Sequence, residues 1–334
     1  MSGYLGFGNL GDEALFAAVA RALQDRGHEV AALSADPAAT RAAHGVAAHH
    51  RLHGVPWALA RCDALVSGGG GLLQDGTSAR SLTYYLGVIR LARRLRRRVI
   101  VFGQSVGPLS ARGAKRVGRA LRGLPVAVRD RPSRAALRAL GVPSHLAADP
   151  ALTLPPPTAR DGAGLLLIPR AGVAGTETAL AAVARDALRE GERVRVLAMQ
   201  PGADQAAAAR LLDHAPGAEA VTAEGPAEAL DRCAEAAFVV SVRLHGLILA
   251  TVAGRGHAGV VYDPKVDGFL ADSGAPGVAV PVDGDTLRAV VRARQPLAQH
   301  RRDELLRRAA HGLDWLDAAL RHAPARNADL ISDR

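Results

Sequence analysis

Short apolar runs alternate with amphipathic helical stretches along almost the whole chain, and this alternation leaves few folds open. Strands are expected at residues 30–33, 64–66, 98–102 and 126–128 in the first half, and at 164–168, 194–198, 238–242 and 259–262 in the second. Helices are expected between them, for example over 13–25 closed by Gly27 and over 178–189 closed by Gly191. Strand, helix, strand in repetition is the pattern of a parallel sheet flanked by helices. A chain of 334 residues, 49% of them hydrophobic, is long enough for two such domains, with Ala, Val and Leu filling cores that 3% aromatic residues cannot. The run Leu154, Pro155, Pro156, Pro157 interrupts the alternation, because proline continues neither a helix nor a central strand. It divides the chain into an N-terminal domain over 1–155, a C-terminal domain over 160–296 and a helical tail over 297–322.

The two halves echo one another. The stretch 57–68 and the stretch 228–241 each give a short helix, an Arg-Cys pair, an apolar strand and then a candidate site turn. Two similar α/β domains follow from that repetition. One place departs from the pattern: only Met1 to Leu5 stand before the glycine turn at 6–13, so the first strand is very short or the natural start lies upstream.

Several function classes are excluded early. No apolar run reaches the roughly 18 residues of a membrane span, and no basic segment followed by an apolar one opens the chain. Cys62 and Cys233 lie far apart without metal-ligand spacing, which fits reduced thiols in a cytoplasm. The net charge of +10 does not indicate nucleic acid, since the arginines are spread through helices with little aromatic interleaving. Anionic small molecules, or peripheral contact with the anionic inner face of a membrane, suit the charge at least as well. The dense set Arg93, Arg94, Arg96, Arg97 and Arg98 ends a helix, where cations complement the dipole.

The chemistry concentrates where strands turn into helices. Ser241-Val242-Arg243-Leu244-His245-Gly246 places a cation and an imidazole at the end of a buried strand, the edge at which open α/β sheets bind ligands and helix N–H groups favour anions. Tyr262-Asp263-Pro264-Lys265-Val266-Asp267 follows, and Lys265 is one of only two lysines beside forty arginines, so a compact ammonium is wanted there. The turn at 6–13 resembles a phosphate or sugar cradle before a helix that Asp12 could cap, with Asn9 inside it. Four glycines at 68–71 keep the backbone open to a ligand, and Gln104 and the triplet Arg129-Asp130-Arg131 close two further strands. A structural ion pair is the competing reading of that triplet. Gathered at one edge, these turns predict an interdomain cleft lined by Arg129, Arg131, Arg170, Arg243 and Lys265, with His245 and the carboxylates Asp12, Asp75 and Asp267. A basic lining suits an anionic substrate better than a hydride cofactor. No metal-binding constellation and no nucleophile elbow is present, and His49, His50 and His53 read as surface residues of a loop.

Taken in order, the motifs resemble those of the polysaccharide pyruvyl transferases, and within them the cell-wall branch called CsaB. The likeness rests on Gly-Asn-Leu-Gly-Asp-Glu at 8–13, Gly-Gly-Gly-Gly-Leu-Leu-Gln-Asp at 68–75, Gly-Gln-Ser-Val-Gly-Pro at 103–108, Arg-Asp-Arg-Pro-Ser at 129–133, Arg-Leu-His-Gly at 243–246 and Tyr-Asp-Pro-Lys-Val at 262–266. The resemblance implies a glycosyltransferase-B-like architecture of two Rossmann-like domains facing across a cleft. It also implies transfer of the pyruvyl group of phosphoenolpyruvate, as co-substrate and without a cofactor, onto a sugar as a cyclic ketal. In the CsaB branch the acceptor is N-acetylmannosamine of a lipid-linked secondary cell-wall polysaccharide precursor, and the product anchors S-layer proteins. On this reading His245, Arg243 and Lys265 are catalytic, and Asn9, Asp12, Gly69, Gly70, Asp75, Gln104, Arg129, Arg131, Arg170, Leu244 and Asp267 bind substrate. Two fixed cations must hold the donor's carboxylate and phosphate: Arg243, and Arg129 or Arg131. His245 is the expected proton carrier. A helix N-terminus opposes its protonation and a bound phosphate favours it, so acid and base stay undecided. The rival enzyme is a sugar-nucleotide glycosyltransferase of the same architecture. The rival from another class is a sugar or nucleic-acid binding module.

Overall fold

The computed structural model describes residues 1–76, 78–158 and 161–321, and its chain divides into two compact units. The first unit comprises residues 1–7, 15–150 and the chain from Arg307; the second comprises 8–14 and 151–306. The proline run is outside regular structure, and residues 159, 160 and 322, near the expected domain limits, lie outside the described residues.

Helix α1 (Leu10–Asp25) begins in the second unit, to Ala14, and continues in the first, which then runs β1 (Ala31–Ser34), α2 (Pro37–His44), β2 (Ala47–His50), α3 (Val55–Arg61), β3 (Ala64–Leu73), α4 (Ala79–Arg94), β4 (Arg98–Val106), α5 (Ala111–Leu121), β5 (Val126–Val128), α6 (Arg131–Ala139) and β6 (His145–Leu146). All strand pairs are parallel, in a two-stranded sheet β1-β2 and a four-stranded sheet β3-β4-β5-β6. The segment before the glycine turn contributes one residue: Ser2 bridges Leu33 on one side and Ser67 on the other, and so joins the two sheets. Helix ends follow local chemistry. Asp36, Ser78, Ser110 and Asp130 cap α2, α4, α5 and α6 through their side chains, with proline in the first turn of α2 and α6.

Two expectations fail here. The glycines at 68–71 are not a turn, because β3 runs through them to Leu73, with Gly68 opposite Phe102 and Gly70 opposite Gln104. Gly69 and Gly70 take φ of +85° and +81° at an irregularity in the ladder, and a Cβ on Gly69 would stand 2.6 Å from Leu15 Cδ2, so Gly69 is needed for packing against α1. His49 and His50 belong to β2 rather than a loop and are half-buried, His49 edge-on to Trp57 and His50 stacked on His53. An edge strand of sequence Ala-Ala-His-His lacks the apolar run that marks the other strands.

The second unit runs β7 (Leu165–Ile168), α7 (Thr176–Arg189), β8 (Val194–Leu197), α8 (Pro201–His214), β9 (Glu219–Val221), α9 (Pro226–Ala234), β10 (Phe238–Ser241), α10 (Leu244–Val252), β11 (Gly256–Val261), α11 (Pro264–Ser273), β12 (Gly277–Ala279) and α12 (Gly284–Ala293). Its six strands form one parallel sheet in the order β12-β11-β10-β7-β8-β9. Counted from β7 this is the 3-2-1-4-5-6 order of doubly wound dinucleotide-type folds, in which the strand order reverses between β7 and β10. With Ser2 taken as a first strand, the first unit has the same order extended by β6 as a seventh strand. The echo in the sequence has this cause: α3 with β3, and α9 with β10, are the same helix and fourth strand in the two sheets. Strands β7 and β10 are buried throughout, as a sheet covered on both faces requires.

The tail forms one helix, α13 (Gln299–Arg321). Within the first unit its Trp315 lies parallel to His145 at 5.7 Å, and Asp317 Oδ1 stands 2.6 Å from His28 Nε2. Within the second unit Arg302 donates to the carbonyls of Thr251 and Val252 at the end of α10. Among the described residues no helix is long and apolar enough to cross a membrane.

Candidate active site

The carboxyl ends of β7 and β10 lie side by side where the strand order of the second unit reverses, the crevice in which open α/β sheets hold ligands. β10 ends in a compact hinge into α10. Ser241 Oγ accepts from the Arg243 N–H at 3.0 Å and donates to the Arg243 carbonyl at 2.7 Å, which brings Arg243 to the N-cap and His245 into the first helical turn. His245 is half-buried. Its ring packs on Gly11 of α1: a Cβ there would stand 2.1 Å from His245 Nδ1, so only glycine lets the imidazole take this place. Asn9 rather than Asp12 caps this end of α1, its Oδ1 accepting from the Gly11 N–H at 3.0 Å. Asp12 is in the helix's first turn.

Arg243 is held by a partner that sequence reading missed. Its Nε and Nη2 donate to the two oxygens of Asp204 at 2.8 and 2.6 Å, and Nη2 also reaches Gln200 Oε1 at 3.2 Å. Asp204 is fully buried and accepts in addition from the N–H groups of Ala171 and Gln200, each at 3.2 Å. The fork expected to grip substrate is therefore engaged by a buried carboxylate, and Nη1 is the nitrogen left outside this set of bonds. Asp204 follows Pro201 in the first turn of an Ala-rich helix, and nothing in its neighbours signals the role. The expected bidentate clamp becomes a single oriented nitrogen.

Two further cations flank one ring. The Arg170 guanidinium carbon stands 4.6 Å from the Tyr262 ring centre and Lys265 Nζ 5.9 Å from it, cation–π contacts that hold both charges beside one aromatic face. Lys265 Nζ also donates to Asp263 Oδ2 at 2.9 Å, while the other carboxylate oxygen caps α11. Contact thus runs from Lys265 through Tyr262 to Arg170, from the adjoining Ala171 through Asp204 to Arg243, and along the first turn of α10 to His245 and Gly11. Asp267 is exposed on α11, and Leu244 is buried at 6% exposure at the start of α10.

At the corresponding edge of the first unit the expected site residues are committed elsewhere. The Arg129 side chain is 4% exposed; its Nη1 donates to Asp149 Oδ2 at 2.6 Å and its Nε to Ser105 Oγ at 2.8 Å. Ser105 in turn donates to Asp130, which caps α6. Arg129 is thus in a structural ion pair, made with Asp149 rather than within the triplet, and its Nε and Nη1 are taken up inside the unit. Gln104 is fully buried in β4, with Oε1 accepting from the Leu72 N–H at 3.3 Å. Asp75 accepts from the hydroxyl and the N–H of Ser110, at 2.5 and 2.8 Å. These bonds, the hydroxyl's first, hold its carboxyl below the usual range and pin the start of α5. Arg131 is exposed in the first turn of α6. Cys233 is inert, since burial pushes its thiol up to about 12.

Fold and site together define an α/β protein of the glycosyltransferase-B type, with a cationic cluster and a histidine at the reversal point of its second sheet. The model of the family described as polysaccharide pyruvyl transferase matches residues 9–264, and the chain belongs to that family, which makes it a transferase. No curated protein matches the sequence significantly. Among solved structures it is similar to MnaA of S. aureus in complex with UDP (7% identity, TM-score 0.64, 93% of each chain). It is also similar to Anabaena HepE in complex with UDP and glucose (10% identity, TM-score 0.61, 93% of this chain and 95% of that one). A third likeness is to WaaG, a glycosyltransferase involved in lipopolysaccharide biosynthesis (15% identity, TM-score 0.52, 100% and 99%). At these identities the likeness is one of fold.

Proposed function

We propose that the chain transfers the pyruvyl group of phosphoenolpyruvate onto two hydroxyls of a sugar as a cyclic ketal, without a cofactor. The acceptor in this reading is N-acetylmannosamine of a lipid-linked cell-wall polysaccharide precursor, as in the CsaB branch, and the work is done in the cytoplasm. The observation that carries the proposal is the placing of His245 and Arg243 in one helical turn at the sheet's reversal point, with Arg243 oriented by buried Asp204. The Arg170 and Lys265 cations and Arg243 Nη1 supply donors for the donor's phosphate and carboxylate.

The chemistry needs few groups. One acceptor hydroxyl adds to the central carbon of phosphoenolpyruvate as the methylene takes a proton and becomes a methyl group. The second hydroxyl then displaces phosphate, which leaves with the remaining proton, so the two hydroxyl protons end on the methyl carbon and on phosphate. His245 is the group that moves them. Arg170 and Lys265 stabilise the departing phosphate electrostatically. Phosphate release from phosphoenolpyruvate in the presence of a lipid-linked aminosugar disaccharide tests the reading. Consumption of a nucleotide sugar with phosphoenolpyruvate untouched would replace it with the glycosyltransferase alternative.

A further inference from the structure

The first unit carries a surface that the proposed chemistry does not use. Leu52, Trp57 and Leu95 are 57, 48 and 39% exposed, three of the four large apolar side chains exposed among the described residues; the fourth, Val280, lies in the second unit. They lie around α3 and the end of α4, which meet where Arg97 Nη2 donates to the Ala60 carbonyl at 2.9 Å. The same two segments carry six arginines: Arg61 ends α3, and Arg90, Arg93, Arg94, Arg96 and Arg97 lie on the last turns of α4 and just after it. None of the six pairs with a carboxylate among the described residues; Arg93 and Arg97 turn instead to backbone carbonyls. The contrast with the second unit is direct, since Arg189, Arg193, Arg210, Arg288, Arg292 and Arg294 each reach an Asp or Glu there.

Unneutralised arginines around exposed leucines and a tryptophan suit one partner best. An anionic bilayer meets the charge with its headgroups and takes the apolar side chains into the headgroup boundary, where tryptophan is favoured. A nucleic acid would need an open ring for base stacking. Trp57 offers little, because the Arg61 guanidinium covers its ring at 3.9 Å and His49 packs edge-on at 4.5 Å. Leu52 and Leu95 have no base-reading chemistry. We propose that the surface formed by Leu52, α3 and the end of α4 docks the protein on anionic lipid. The inference does not depend on the pyruvyl reading, because lipid binding is measured without either substrate.

The test uses the full chain carrying Trp315→Phe, which leaves Trp57 as its tryptophan, and vesicles of phosphatidylcholine with or without phosphatidylglycerol. Cosedimentation and a blue shift of Trp57 emission are expected with the anionic vesicles alone. Arg94→Glu/Arg96→Glu should weaken partitioning at least about 25-fold, since each basic residue near such a surface contributes roughly fivefold. Trp57→Ala should weaken it about tenfold, for one large apolar side chain. Arg112→Glu/Arg119→Glu, the same charge change on exposed positions of α5, should leave most binding in place, and melting curves confirm that each variant is folded. Equal binding to neutral vesicles, equal losses from both double variants, or a single-stranded oligonucleotide bound through these arginines while vesicles are ignored would each overturn the proposal.

Discussion

The two sheets share a strand order yet end in opposite kinds of edge. At the carboxyl ends of β7, β10 and β11, side chains are arranged around one another but keep polar atoms available: Arg243 retains Nη1, and Arg170 and Lys265 stand over Tyr262. At the carboxyl ends of β3, β4 and β5, the polar groups close on themselves through Arg129, Asp149, Ser105 and Asp130. A shared topology fixes where a site can be. Both edges pair an arginine with a buried carboxylate, and they differ in exposure: the Arg243 side chain stays 16% exposed beside Asp204, while that of Arg129 is 4% exposed beside Asp149.

The comparison is most exposed at His245. His245→Ala should lower kcat by about a hundred- to ten-thousand-fold, the contribution of a positioned acid or base, with the fold intact. Phosphate release and melting temperature measured on one preparation decide the matter: a drop in stability with turnover per folded molecule unchanged ends the catalytic assignment. The reverse outcome is expected for the other edge. Arg129→Ala removes the guanidinium from buried Asp149 and should cost about 3–5 kcal/mol of stability, with little change in turnover per folded molecule. If donor affinity falls and denaturant midpoints stay put, the first unit's edge is a binding site after all.

Acid should separate the units next. Burial lowers the His257 pKa from 6.5 to about 4, so the folded second unit holds this ring neutral. A depressed pKa on a base means that stability is complete above pH 6.5 and is lost as pH falls from there towards 4, by at most about 3 kcal/mol. Urea midpoints across that window should fall for the native chain and much less for His257→Phe; identical slopes would remove His257 from the account. The smallest effect is expected at Arg243. Arg243→Lys loses the two-toothed bond to Asp204 and should cost roughly 1.5–3 kcal/mol of transition-state binding, with Asp204→Asn falling in the same direction. Were Arg243 gripping substrate directly with its fork, Asp204→Asn would instead leave donor affinity unchanged or improve it.

Much of this was legible without coordinates. The apolar strands 98–102, 126–128, 164–168, 194–198 and 238–242 recur within a residue or two, or as the first part of a longer strand, because a strand buried on both faces has a composition no solvent-facing segment shares. The strand-to-helix turn at Arg243 and His245 was equally plain. β2 was missed because an edge strand ending in two histidines has no such signature, and the extension of β3 because glycine has poor strand propensity. The pairing of Arg243 with Asp204 joins residues 39 positions apart, and the fit of His245 against Gly11 joins the chain's beginning to its second unit. The sequence by itself determined the alternation of elements, the duplicated parallel sheets and the places where ligands could meet them, since these depend on the local spacing of apolar residues. Tertiary structure alone decided which carboxylate each arginine meets and how much of its guanidinium stays exposed, because folding brings those partners within hydrogen-bond reach and neighbours along the chain do not say which they will be.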